Sequence, residues 1–351
     1  MIYISTMTRA KKTSHTRWTL IFLLIIGAFG TLGVYLLFGP NTGAFTQDEY
    51  LYVRTGANYD QVIETMEESH IVADMNGFKL VAKAMKLQEH IHPGRYKIHK
   101  RMSNFNIVRM LRSGMQDPVK LVINKLRTKR DFIRLVASNV EADSFEMARL
   151  LEDSTYLSEY EVTPGTAMAI IVPDTYEFFW NTDADKVLKK IYKNYNRFWN
   201  KQRKQKAANQ GITPLQAIVV ASIVEEETNK SSDKPKIASV YLNRIKKGMP
   251  LQADPTVKFA IGDFAIKRVT SAMLQINSPY NTYKYPGLPP GPICTPSVGS
   301  INAVLDAPRT SYLYFCAKAD FSGYSAFASN YNEQINNANA YRRALDARGI
   351  H

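Results

Sequence analysis

The stretch TPLQAIVVASIVEEET, residues 213–228, constrains the fold more than any other part of this chain. Thr213 is a suitable helix N-cap, Pro214 suits the first helical position, and Gln216 stands where a capping box places Glu or Gln. The residues from Leu215 to Val224 include only two polar ones, so the predicted helix is apolar on nearly every side. Because such a helix is buried on most sides, we expect it at the centre of a large core.

Three consecutive carboxylates, Glu225, Glu226 and Glu227, end this predicted helix. Burial raises the pKa of a carboxyl because the charged form loses its water, and the negative end of the helix dipole acts in the same direction. A carboxylic acid that stays protonated near neutral pH is what a general acid requires. The alternative interpretation is a buried helix whose charged end simply reaches solvent, as charge runs commonly do.

The distribution of histidine and cysteine excludes several kinds of active site. The six histidines include none between residues 100 and 350, and the only cysteines are Cys294 and Cys316. A catalytic triad with an imidazole, or a Cys/His metal site, is therefore not expected in the C-terminal two thirds of the chain. We expect chemistry from carboxylates, hydroxyls, amides, Lys, Arg or Tyr, without a metal or cofactor. Whether the two cysteines pair is open.

The net charge of +14 is partly concentrated in one segment. Residues 186–206 contain nine Lys or Arg and no acid. Such a run is usually a solvated helix face, but it can also meet nucleic acid, a membrane surface or an acidic polymer. Because the sequence has no RNA-binding signature, zinc-finger spacing or P-loop, a nucleic-acid partner is not expected.

The N-terminal region predicts a membrane anchor. Residues 1–17 carry four basic side chains and no acid, and residues 18–38 contain no charge. That run is long enough to cross a hydrocarbon core of about 30 Å, and it exceeds the roughly 7–15 residues of a cleaved signal's apolar region. The positive-inside rule places the N-terminus in the cytoplasm and the remaining chain outside. A buried core helix is the alternative.

The remaining sequence predicts an α+β protein. A linker at 39–49 precedes residues 50–124, where short helices and strands alternate as in a compact α+β module. Residues 125–351 combine several helices with few strands, and the apolar run at 167–172 is predicted to be a buried strand.

Several ordered motifs resemble one known family. The chain is similar to the YceG-like endolytic murein transglycosylases in PDTY at 173–176, ASIVEEET at 221–228, VYLNRIKKGMPLQADPTV at 240–257, YNTY at 280–283, GLPPGPI at 287–293 and YLYF at 312–315. The resemblance implies a bacterial inner-membrane protein with a LysM-like subdomain at 50–124 and a periplasmic catalytic domain at 125–351. It also implies cleavage of nascent peptidoglycan between N-acetylmuramic acid and N-acetylglucosamine, leaving a 1,6-anhydro end. Contacts with peptidoglycan synthases or division proteins are left open.

The resemblance implies that the catalytic glutamate is the first acid after the apolar helix, Glu225. Glycoside hydrolysis generally uses two carboxylates, but one is sufficient when the muramic 6-hydroxyl attacks its own C1. One carboxyl can then protonate the leaving oxygen and help to deprotonate the hydroxyl. Glu226 and Glu227 are rotated by about 100° and 200° from Glu225 along a helix, and either could be a surface cap.

Five further residues are predicted to contact substrate: Gln252, Asp254, Tyr280, Asn281 and Tyr283. By resemblance, the first two shape the cleft, and Asp254 either orients substrate or acts as a second acid. An Asx-type cap is the alternative for this aspartate. The two tyrosines and the asparagine offer stacking faces and an amide to saccharides, whereas a packed tyrosine-rich loop is the alternative.

The sequence departs from the family at Ser325 and Gln334, where relatives often carry histidine, so a substrate role at these positions is in doubt. Two other functions are open. One is a non-catalytic peptidoglycan-binding scaffold. The other is a hydrolytic muramidase that uses Glu225 with Asp254 and releases reducing muramic acid ends.

Overall fold

A computed structural model describes residues 12–349 as two compact units. The N-terminal unit comprises residues 12–119 with 179–181, and the C-terminal unit comprises residues 120–178 with 182–349. Each unit combines helices with two-stranded sheets, so the predicted α+β class is confirmed. The division falls at 119/120, a few residues before the boundary at 124/125 that the sequence predicts.

The chain begins with a long apolar helix, α1 (Lys12–Phe38). Its segment Arg17–Phe38 is long and apolar enough to cross a membrane, and its side chains are largely exposed. The carbonyl of Leu36 accepts a hydrogen bond of 2.9 Å from the buried Asn104 carboxamide, which ties the end of the helix to the N-terminal unit.

The N-terminal unit packs three helices on a pair of antiparallel strands. Its elements are β1 (Glu49–Val53), α2 (Tyr59–Glu68), α3 (Met75–Ala84), a 3₁₀ turn (Leu87–Glu89), β2 (Gly94–Ile98) and α4 (Asn104–Ser113). The two strands are antiparallel, with Leu51 opposite Tyr96, and both of these side chains are buried. Asn58 and Ser103 cap α2 and α4, because the side chain of each accepts a hydrogen bond from the backbone N–H three residues later.

The C-terminal unit is mainly helical around one core. Its helices are α5 (Lys129–Ala137), α6 (Ser144–Leu150), α7 (Ser154–Ser158), α8 (Ala184–Phe198), α9 (Lys201–Gln210), α10 (Pro214–Glu227), α11 (Lys234–Lys246), α12 (Asp254–Ile261), α13 (Val298–Leu305) and α14 (Tyr331–Asp346). Its strands are β3 (Val119–Ile123) paired with β4 (Asp174–Phe178), and β5 (Tyr314–Ala317) antiparallel to β6 (Ser325–Ala328).

Helix α10 occupies the centre of this core, as its sequence predicts. The eight residues Ala217–Val224 are all buried, and α9, α11, α12 and α13 pack around them. The predicted capping box is present, since Thr213 Oγ1 accepts from the Gln216 backbone and Gln216 Oε1 accepts from the Thr213 backbone. Burying each large aliphatic side chain contributes roughly 1.5–3 kcal/mol to the stability of the fold. The buried helix therefore fixes the position of the three glutamates at its end.

One local prediction was wrong. The run at 167–172 is not a strand: Ala167–Ile170 forms a 3₁₀ turn, and the following strand begins only at Asp174. The turn is initiated at Thr166, whose carbonyl accepts from the Ala169 backbone and whose hydroxyl accepts from the Thr163 backbone. The segment that carries Asp254 starts α12, because Pro255 suits a first helical turn.

Candidate active site

The three carboxylates at the end of α10 point to different neighbours. Glu225 Oε2 accepts hydrogen bonds from Ser297 Oγ at 2.6 Å, Ser300 Oγ at 2.5 Å and Lys234 Nζ at 3.1 Å. Burial alone would raise the pKa of Glu225, but the two hydroxyls and the ammonium group outweigh it and lower that pKa. Through these bonds the Glu225 carboxylate links α10 to α11 and α13.

Glu226 is also held as an anion. Lys125 Nζ and Arg127 Nη2 each lie 3.0 Å from its carboxylate oxygens. Burial opposes ionisation here too, but the two cations outweigh it and lower the pKa of Glu226. This residue is an ion-paired link to the segment after β3, not a solvated cap.

Glu227 differs from both of its neighbours. Its side chain is half-buried, and its Oε1 accepts a hydrogen bond of 2.6 Å from the hydroxyl of the buried Tyr241 on α11. Burial raises the pKa of Glu227 to about 7, the negative charge of Asp254 adds to the rise, and the Tyr241 hydrogen bond opposes it. Among these three carboxyls, Glu227 is the one that can both hold and release a proton near neutral pH.

Two polar residues lie near Glu227: Asp254 at the start of α12, and Tyr283 in the YNTY motif. Asp254 Oδ1 accepts a hydrogen bond of 2.5 Å from the hydroxyl of Tyr283. Burial raises the pKa of Tyr283 most, and the hydrogen bond to Asp254 raises it further, so the phenol stays neutral and remains a donor. The N-cap residue of α12 is Ala253, and Asp254 is the first residue of the helix. Asp254 and Tyr283, two of the predicted site residues, thus lie together beside Glu227.

Arg244, which is buried, holds the segment that carries Gln252. Its guanidinium donates to the backbone carbonyls of Leu251 at 2.8 Å and Leu313 at 2.7 Å, and to Gln252 Oε1 at 3.3 Å. Gln252 adopts a left-handed backbone with φ of 52°, a strained conformation for a residue with a Cβ. Its backbone N–H bonds the Thr282 carbonyl at 3.0 Å, so the LQADPT and YNTY motifs meet.

The other two predicted contacts have different positions. Asn281 is fully buried, and its carboxamide donates to the carbonyls of Leu274 and Ile276 and accepts from the Tyr283 backbone. Its amide is therefore occupied inside the protein, which corrects the expectation that it bonds saccharide directly. Tyr280 packs on Phe259 with ring centroids 4.7 Å apart, as in the packed-loop alternative.

The sequence reasoning missed Tyr241 and Arg244. These residues are three apart on α11, and that spacing places them on one helix face. The spacing alone did not indicate that this face meets Glu227, because the contact joins residues 14 apart on two helices. Within residues 12–349 no group of three or more His, Cys, Asp or Glu could hold a metal ion, and Cys294 and Cys316 are free thiols.

The two positions where relatives often carry histidine have local roles. The backbone N–H of Ser325 donates to Asp233 Oδ2 at 2.7 Å, and the carboxamide of Gln334 donates to the Phe315 carbonyl at 3.2 Å. Both bonds join the β5–β6 pair to neighbouring helices.

A sequence profile of the YceG-like family matches residues 51–340. The chain belongs to the YceG-like family. Two curated relatives carry the name endolytic murein transglycosylase. The protein of Bacillus subtilis is 28% identical over 284 residues, covering 76% of this chain and 78% of that protein. The protein of Streptococcus pneumoniae serotype 2 is 25% identical, covering 91% of this chain and 63% of that longer protein.

A solved structure supports the same family assignment. The crystal structure of a yceG-like protein of Listeria monocytogenes has a TM-score of 0.55 and 25% sequence identity to this chain. The match covers 83% of this YceG-like chain and 99% of the Listeria chain. The family match over residues 51–340 includes both the acidic end of α10 and the segments around Asp254 and Tyr283.

Proposed function

We propose that this protein is a membrane-anchored endolytic lytic transglycosylase that cuts peptidoglycan between N-acetylmuramic acid and N-acetylglucosamine and leaves 1,6-anhydro-muramic ends. The names of its YceG-like relatives support the reaction. The observation that carries the proposal for this chain is the position of the Glu227 carboxyl at the end of the buried helix α10, where it accepts a 2.6 Å hydrogen bond from Tyr241 and burial raises its pKa to about 7. No imidazole is available between residues 100 and 350, which favours a carboxyl as the group that carries the proton.

In the proposed mechanism Glu227 acts first as acid and then as base. Its carboxyl proton passes to the glycosidic oxygen while the bond from that oxygen to C1 of muramic acid breaks. The carboxylate then accepts the proton of the muramic 6-hydroxyl as O6 bonds to C1, which regenerates the carboxylic acid. A pKa near the working pH suits both transfers, because neither protonation state is strongly disfavoured.

Glu227 replaces Glu225 in this proposal. The sequence resemblance favoured the first acid of the run, but the hydroxyls and the ammonium group around Glu225 stabilise its anion. We assign Glu225 to positioning, because it ties α13 and α11 to the end of α10. Asp254 raises the pKa of Glu227 and offers negative charge to the oxocarbenium-like transition state. Gln252 and Tyr283 would position the sugars.

We further propose that α1 spans the inner membrane with its N-terminus in the cytoplasm and the rest of the chain in the periplasm. The apolar segment Arg17–Phe38 and the four basic residues before or at its start support this topology. The short strands and helices between Glu49 and Ser113 are compatible with a LysM-like subdomain.

The second candidate is a hydrolytic muramidase, and the proximity of Asp254 to Glu227 favours it because hydrolysis commonly needs a second carboxylate. The deciding experiment incubates the full-length protein, in detergent, with uncrosslinked peptidoglycan and identifies product ends by mass spectrometry. Anhydro-muramic ends support the transglycosylase, whereas reducing muramic ends establish hydrolysis. Binding without cleavage indicates the scaffold.

A further inference from the structure

A basic groove lies between β4 and α8 of the C-terminal unit, away from the residues assigned to catalysis. It has a volume of about 600 Å³. Its charged lining consists of four cations and two acids: Lys120, Lys190, Lys193, Arg197, Asp174 and Glu177. We call this the basic groove.

The cations of the basic groove are not neutralised by acidic side chains. On the same helix, Lys186 and Lys189 each form a salt bridge of 2.7 Å with an aspartate one turn earlier. Within the described part of the chain, neither Lys193 nor Arg197 forms such a bridge, and the Lys190 ammonium group bonds the Glu177 backbone carbonyl and lies 5.0 Å from the centre of the Phe178 ring, without an acidic partner. The unpaired positive charges of α8 therefore converge on the groove, whereas its other basic residues are paired.

The floor of the groove is fixed by hydrogen bonds. The hydroxyl of the buried Tyr176 donates to the Val172 carbonyl at 2.7 Å and accepts from the Asn194 carboxamide at 3.0 Å. The same carboxamide reaches Asp174 Oδ2 at 3.3 Å, and its oxygen accepts from Arg197 Nη2 at 2.5 Å. These bonds orient the guanidinium before any ligand arrives, which reduces the entropy lost on binding.

A second groove of about 350 Å³ continues the first towards the acidic end of α10. It shares Asp174, Asn194 and Arg197 with the basic groove and extends to Val298. Val298 follows Ser297, whose hydroxyl bonds Glu225. A ligand bound along both grooves would therefore approach the helix end that carries the proposed acid.

The size and charge pattern of the groove favour a short peptide with charges of both signs. The α8 cations at positions 190, 193 and 197 span about 10 Å at 1.5 Å per residue, which equals about three extended residues. Asp174 and Glu177 would repel a uniform polyanion or an anionic membrane, but they can accept an ammonium group. The peptide stems of uncrosslinked peptidoglycan carry free carboxylates together with a free amine.

We propose that the basic groove binds the peptide stems of uncrosslinked peptidoglycan: its lysines and Arg197 bind the stem carboxylates, and Asp174 or Glu177 binds the free amine. Through this contact the enzyme selects strands that still carry peptides. The inference rests on the proposed function for its ligand, but it concerns binding and not cleavage.

Binding is tested on full-length protein in detergent, with Glu227→Gln present throughout to prevent cleavage. The ligands are uncrosslinked strands with stems and the same strands after enzymatic removal of the stems. The double variant K190E/K193E is compared with K201E/K204E, which makes the same charge change at exposed lysines of α9 outside the groove. Equal melting temperatures of the two double variants establish that both are folded.

We expect K190E/K193E to weaken binding of stem-bearing strands at least tenfold, to leave stem-free strands unaffected, and to reduce the salt dependence of binding. K201E/K204E should bind like the parent. Equal losses for both ligands, or no loss, would overturn the proposal. A loss of binding to vesicles of anionic phospholipid, without a loss for strands, would assign the groove to the membrane surface instead.

Different results would contradict the proposed function and the proposal for the basic groove. If the parent with Glu227 intact releases no anhydro ends while binding still depends on stems and on Lys190 and Lys193, the transglycosylase proposal is wrong and the groove stands. If anhydro ends appear and K190E/K193E binds stem-bearing strands as tightly as the parent does, the groove proposal is wrong.

Discussion

The raised pKa of Glu227 predicts that ionisation of this carboxyl destabilises the fold as the pH rises. In the folded protein this carboxyl titrates at about 7, against an ordinary value of 4.5. The folded state therefore binds its proton more tightly than the unfolded chain does. As pH rises from about 4.5 to 7 the unfolded chain releases the proton first, so stability falls through that window and stays low above it.

The size of this loss follows from the same two values. One pKa unit corresponds to about 1.4 kcal/mol, so the separation is equivalent to about 3 kcal/mol of unfolding free energy. Glu227→Gln removes the ionisation and keeps an oxygen that can accept from Tyr241. We therefore expect the variant to be more stable than the parent by about 3 kcal/mol at pH 8 and by little at pH 4.5.

The assay is thermal unfolding of both proteins in the same detergent between pH 4.5 and 8.5. Each kcal/mol shifts the melting temperature of a unit of this size by roughly 2–4 °C, so the two curves should diverge by roughly 6–12 °C at pH 8. Glu225→Gln is the matched control, and it should lower stability at neutral pH because the lowered pKa of Glu225 means that its anion stabilises the fold. A constant difference between Glu227→Gln and parent across the pH range would refute the reasoning.

Two further predictions concern Tyr241 and Asn281. Tyr241→Phe removes the hydrogen bond that lowers the pKa of Glu227. The alkaline limb of the pH–activity profile should therefore move to higher pH, and an unchanged profile would show that Tyr241 does not act on the acid. Asn281→Ala removes the donor to the partly buried carbonyls of Leu274 and Ile276. It should cost about 1–3 kcal/mol of stability in chemical denaturation, whereas unchanged stability with weakened saccharide binding would restore Asn281 as a ligand contact.

The sequence predicted those elements whose signals are local. Thr213, Pro214 and Gln216 define the start of α10 within four residues, and its all-round apolarity requires a central position. Asn58 and Ser103 are local N-cap signals of the same kind, at the starts of α2 and α4. The run at 167–172 failed because a short apolar segment has the same composition whether it forms a strand or a buried turn.

The sequence identified the helix end and the motifs that the structure brings together, whereas the choice of Glu227 over Glu225 is a proposal that draws on the structure. What separates Glu225 from Glu227 is the set of partners that each meets. The Ser300 hydroxyl that stabilises the Glu225 anion comes from 75 residues further along the chain, and Tyr241 comes from another helix. Helical phase gives the angle between the two carboxyls but not which neighbour each one faces.

The central claim is that Glu227, and not Glu225, transfers the proton in glycan cleavage. Its most direct test compares the initial rates at which full-length Glu227→Gln and Glu225→Gln release anhydro-muramic ends, both assayed below their melting temperatures. The account predicts a loss of about 10²–10⁴-fold for Glu227→Gln and a much smaller loss for Glu225→Gln. Near-parent activity in Glu227→Gln, with activity abolished in a folded Glu225→Gln, would contradict it.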